Sequence, residues 1–138
     1  TRRGVDSIID WVERVNDSKT SKELDLSRLL LKECPFAPYK PLLILNLAGN
    51  RIEYMNENVL ELATITECNL SSNRILEIPN DIYRLFKCTS LNLTQNRLVM
   101  LPESVGLMTS LTKLDANVNR IQVCISFPIV HGSVCRMI

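Results

Sequence analysis

Two hydrophobic rhythms alternate along this chain and recur together. A short stretch of strict apolar–polar alternation, as in Leu91-Asn92-Leu93, is followed by a stretch whose apolar residues fall three to four apart. Alternation at period two marks a strand with one buried face, and the wider spacing marks a turn or short helix burying one side. The unit is anchored by Asn50, Asn73, Asn96 and Asn119, which stand 23 residues apart, each followed by an arginine and an aliphatic residue. Three residues before each Asn stands Leu47, Leu70, Leu93 or Ala116; five before, Leu45, Cys68, Leu91 or Leu114; eight before, Leu42, Ile65, Cys88 or Leu111. The return half keeps the same phase. Ile52, Met55, Val59 and Leu62 recur as Ile75, Ile78, Ile82 and Leu85, and again as Leu98, Leu101, Val105 and Met108. Ile78-Pro79, Leu101-Pro102 and Cys34-Pro35 occupy one position of the unit. A degenerate earlier copy holds Leu24, Leu26 and Leu31, offset by 21 residues, with Leu29 where Asn is expected.

Each position has a physical reading. Strands of successive units stack in parallel, and the Asn turns the chain out of the strand. Its amide both donates and accepts, so it satisfies backbone groups that a buried turn leaves unpaired. Asn50, Asn73, Asn96 and Asn119 are therefore expected to form a structural ladder. The pattern LxxLxLxxNxL is that of the leucine-rich repeat. With its return half, it resembles the 23-residue repeats of small intracellular leucine-rich repeat proteins of the Ras-suppressor-like type, over residues 21 to about 125. The resemblance implies an α/β repeat solenoid, an arc of about five repeats with a parallel concave sheet and an N-terminal capping helix.

Terminal repeats need caps, because each repeat buries its faces only against a neighbour. In the first segment, residues 1–20, Val5, Ile8, Ile9, Val12 and Val15 form an apolar stripe at helical spacing, with Trp11 near its edge. Asp6, Asp10, Glu13 and Arg14 lie off that stripe, so residues 5–16 predict an amphipathic helix laid over the first repeat. The repeats themselves run from 21 to 125. Beyond Ile121 and Cys124 the phase is lost, since Pro128 and His131 stand where aliphatic residues are expected. Residues 126–138 read as an irregular apolar tail, either covering the open end of the core or pairing two copies through it.

The residues alternating with buried strand positions line the concave face, and these are the candidate contacts with a partner protein. One row runs Glu23, Ile44, Glu67, Ser90, Lys113; the next runs Asp25, Asn46, Asn69, Asn92, Asp115; Ser71 and Thr94 stand two residues further on. This face is small, polar and mildly acidic, without the aromatic anchors typical of binding hot spots. Leu43 and Ile44, beside Thr66, form its one apolar spot. A second row, Arg51, Arg74, Arg97 and Arg120, offers four guanidinium groups to a phosphate or an acidic peptide. Against that, a polar or basic residue is common at this position in the family, arginine stems cover apolar surface, and Glu53 and Glu77 dilute the charge.

Composition narrows the function. With 138 residues the chain is one domain, and 21 leucines and 12 asparagines match the repeat. Sixteen Lys and Arg against fifteen Asp and Glu give a net charge of +1, which argues against nucleic acid or an acidic membrane as partner. The opening TRRGVDSIIDWVERV interrupts its apolar content with acids and lacks the character of a signal peptide. Five cysteines with no CxxC pair predict reduced thiols and a cytoplasmic location, a nuclear one remaining open. No catalytic, metal-binding or cofactor-binding constellation stands out: the only His is at 131, and the glycine-rich, GxSxG and HExxH motifs are missing. A Cys–His pair between Cys124 or Cys135 and His131 would lack a framework to hold it. The expectation is a non-enzymatic, intracellular protein-binding module, monomeric and without cofactors. Two alternatives are a truncated or alternatively spliced fragment that self-associates through its C-terminal end, and a regulatory part of a larger signalling enzyme.

Overall fold

The computed structural model describes residues 2–35 and 41–122, with side chains from residue 9 onward. Five three-residue strands form one parallel sheet in chain order: β1 Glu23–Asp25, β2 Ile44–Asn46, β3 Glu67–Asn69, β4 Ser90–Asn92 and β5 Lys113–Asp115. The central residues align as Leu24, Leu45, Cys68, Leu91 and Leu114, and all point into the core. The 21-residue offset of the degenerate first copy is the true register, since Leu24 pairs with Leu45. Parallel strands require a crossover, and here each crossover is one return limb of a repeat. The limb after β2 contains a short helix, α2 (Glu57–Leu60); those after β3 and β4 contain 3-10 turns at Asn80–Arg84 and Glu103–Leu107. Pro79 and Pro102 immediately precede these turns in extended conformation. The repeating apolar positions of the limbs, Ile52, Met55, Val59 and Leu62 and their equivalents through Met108, are buried in the core.

The asparagine ladder closes each turn. Asn73 donates from Nδ2 to the carbonyls of Leu47 (2.9 Å) and Leu70 (3.0 Å), and its Oδ1 accepts from the Ile52 N–H (3.1 Å). Asn96 repeats this with Leu70, Leu93 and Ile75, and Asn119 with Leu93, Ala116 and Leu98. Asn50 faces the degenerate first turn and accepts two N–H groups, from Leu29 and Leu31. Immediately before each Asn the backbone is left-handed: Gly49 (φ 70), Ser72 (φ 54), Gln95 (φ 57) and Val118 (φ 54). Only one of these four residues is glycine, so the fold imposes a conformation that the other three adopt at a cost.

At the N-terminal end, α1 (Arg2–Ser21) covers the first strand. Its contact face differs from the predicted one. Val15 and Ser18 are buried and Trp11 packs on the core, while Ile9 and Val12 are 51% and 43% exposed. Val15 alone of the described stripe residues is buried. A polar contact accompanies this orientation. Arg14 donates from Nη1 to the carbonyls of Asp25 (3.1 Å) and Ser27 (3.5 Å). In every later repeat the equivalent carbonyls, such as those of Asn46 and Ala48, accept N–H groups from the preceding strand. Arg14 stands where that missing strand would be, steadied by its Nε bond to Asp10 (2.9 Å). An unpaired sheet edge is thereby capped with charge. The predicted apolar tail, residues 126–138, lies outside the described residues.

Candidate functional site

The sheet register gathers the predicted partner-binding residues onto one face. Glu23, Ile44, Glu67, Ser90 and Lys113 are aligned neighbours, as are Asp25, Asn46, Asn69, Asn92 and Asp115. Successive members of a row stand about 4.8 Å apart, the spacing of adjacent strands. Ser71 and Thr94 continue the surface beside them, half-buried. A shallow groove of about 280 Å³ runs across β2 to β5, lined by Ile44, Asn46, Glu67, Asn69, Ser90, Asn92 and Lys113.

The middle row has a structural duty that spacing did not reveal. Asp25, Asn46, Asn69 and Asn92 each accept, through Oδ1, the N–H two residues ahead, at 2.9–3.1 Å. These Asx turns end the strands and fix the side-chain torsions. The oxygens of the three asparagines are thus engaged, and their Nδ2 groups form a row of donors. At one end Asp25 is flanked by Arg14 (3.8 Å); at the other Lys113 reaches Asp115 (3.3 Å). Partial burial pushes the Asp25 carboxyl up, but hydrogen bonds from Ser27, the Arg14 charge and a bond from Asn46 outweigh it, leaving it below its ordinary value. The face is therefore a mixed polar surface whose Asp25, Asn46, Asn69 and Asn92 side chains are pre-ordered, with Glu23, Glu67 and Lys113 exposed beside them.

A second ladder escaped the sequence reading. Thr66, Thr89 and Thr112, also 23 residues apart, donate from Oγ1 to the carbonyls of Leu43, Thr66 and Thr89 at 3.1 Å each. The thiols of Cys34, Cys68 and Cys88 are free and buried. Burial pushes Cys34 up to about 12, with a contribution from Glu33; it pushes Cys88 up to about 11 and Cys68 well above 9.0. None of these is a nucleophile at neutral pH. Among the described residues no cluster of three or more His, Cys, Asp or Glu could hold a metal, and no helix is long and apolar enough to cross a membrane. Cys124, His131 and Cys135 lie outside the described residues.

No protein-family model and no curated protein matches the chain. Solved structures do. A leucine-rich repeat protein of Leptospira interrogans is 26% identical over 71% of this chain and 26% of its own length, with a TM-score of 0.67. The leucine-rich repeat domain of a Shigella effector is 24% identical over 93% of this chain and 56% of its own, with a TM-score of 0.70. At that identity the second likeness speaks to the fold alone. The chain spans about a quarter of the first protein and just over half of the second.

Proposed function

We propose, from the premise that this chain is a leucine-rich repeat protein, that it is a non-enzymatic binding module engaging a partner protein through its concave face. The observation that carries this reading is the row of Asn46, Asn69 and Asn92, whose side chains are held by Asx turns before any partner arrives. Contacts made by side chains already ordered lose less entropy on association. Glu23, Glu67 and Lys113, exposed beside that row, supply charge selection. A reducing compartment, cytoplasmic or nuclear, fits the three buried free thiols among the described residues.

The test is affinity capture from native lysate with the wild-type chain and with Glu67→Arg/Ser90→Arg. Both residues sit mid-face, and neither side chain ties down a turn, unlike Asn69 and Asn92. A protein held by the wild type and lost by the variant, with the circular dichroism spectrum unchanged, supports the reading. Equal capture by both overturns it.

A further inference from the structure

The loops that follow Asn73, Asn96 and Asn119 enclose a second groove, of about 880 Å³, away from the strand rows of the concave sheet. Its apolar lining includes Leu76, Val99 and Met100, which are 39%, 55% and 53% exposed. One repeat earlier the corresponding loops are joined: the Leu76 N–H donates to the Glu53 carbonyl (3.2 Å), and Tyr54 pairs with Glu77 as a parallel bridge. Among the described residues no such bond joins Val99 or Met100 to the Leu76 loop, and the groove lies where that pairing lapses. Three contiguous exposed apolar side chains in a concavity mark a contact surface better than scattered ones do.

Polar groups select the occupant. Arg97 and Arg120 line the groove, are exposed, and make no ion pair among the described residues. Each is followed one residue on by a buried or half-buried aliphatic, so the two guanidinium groups project from fixed points one repeat apart. The Ser104 hydroxyl, also in the lining, is buried without a hydrogen-bond partner among the described residues. Glu77 and Glu103 balance the two arginines in number, which disfavours a bare phosphate dianion. An unpaired guanidinium beside an apolar floor suits a carboxylate attached to an aliphatic anchor, since its planar fork binds carboxylates bidentately. We propose that this groove docks an extended peptide segment of a partner protein carrying a bulky aliphatic residue next to an acidic one. The site is independent of the concave face.

The probe is a random dodecapeptide library displayed on phage, panned against the full chain carrying Glu67→Arg/Ser90→Arg, which disables the concave face. Enriched sequences should place Leu, Ile or Met beside Asp or Glu. A synthetic enriched peptide should bind the wild type and the concave variant alike. It should lose about tenfold in affinity on Arg97→Ser/Arg120→Ser, and again on Val99→Ser/Met100→Ser. All four side chains are solvent-exposed, so both variants should melt with the wild type, and either alone suffices if the other fails to fold. Four results would overturn the proposal: no enrichment, enriched sequences without acids, binding that survives both double substitutions, and displacement of the peptide by inorganic phosphate.

Discussion

Replacing Asn73 with alanine tests the ladder quantitatively. The substitution removes four hydrogen bonds, but its consequences are unequal. The Leu47 carbonyl keeps the Asn50 Nδ2 (2.9 Å), the Leu70 carbonyl keeps the Asn96 Nδ2 (3.0 Å), and the Ser71 carbonyl keeps the Gly49 N–H (3.0 Å). Only the Ile52 N–H is orphaned, in a residue 1% exposed. A buried unsatisfied donor costs about 1–3 kcal/mol, and each bond lost from a carbonyl that retains a partner costs a few tenths to about 1 kcal/mol. Asn73→Ala should therefore destabilise by about 3 kcal/mol, read as a fall in urea midpoint at unchanged slope. Asn119→Ala removes the equivalent bonds and orphans the Leu98 N–H, in a residue 0% exposed, so it should cost about as much, about 3 kcal/mol. A cost below about 1 kcal/mol at either position would refute the reasoning.

Other consequences follow from particular residues. Arg14→Ala uncovers the Asp25 and Ser27 carbonyls on the sheet edge and should cost about 1 kcal/mol; sedimentation should also show concentration-dependent association. Val118→Gly relieves a left-handed β-branched residue that is 58% exposed, and should stabilise by about 0.5–1 kcal/mol in chemical denaturation; a loss of stability would contradict the strain. The buried thiols keep their protons in the folded chain well above 9.0, so the unfolded state releases protons first as pH rises. Stability should be insensitive to these groups below about pH 9 and fall between there and pH 11–12, and a Cys34→Ala/Cys88→Ala variant should show a shallower alkaline fall in its urea midpoint.

The repeat was legible because its buried positions recur at fixed spacing and packing leaves them no freedom. Leu45, Cys68, Leu91 and Leu114 had to share a register, and twelve surface residues followed onto one face by alternation alone. The N-terminal helix was legible as an element but not in rotation. Apolar spacing pointed to Ile9, Val12 and Val15 alike; of these Val15 is buried, with Trp11 from the stripe's edge packed on the core, while Arg14 on the same side serves two edge carbonyls. That requirement arises because no strand precedes β1 among the described residues, which no periodicity records. The Asx duty of Asn46, Asn69 and Asn92 was likewise hidden: a polar residue pointing outward reads as a contact until its oxygen is seen bonded to its own chain. The threonine ladder was within reach, since Thr66, Thr89 and Thr112 share the 23-residue interval of the asparagines. The groove beside Met100 depends on a lapse in loop pairing that residue spacing does not encode.

The most direct test of concave-face recognition is the dissociation constant of the captured partner for three forms of the chain: wild type, Glu67→Arg/Ser90→Arg, and Tyr83→Arg/Phe86→Arg. The last pair is exposed on the return limb, at 44% and 50%. Weakening by about tenfold or more in the concave variant, with the limb variant matching wild type, is the predicted result. Weakening confined to the limb variant would contradict the account and move recognition to the outer surface.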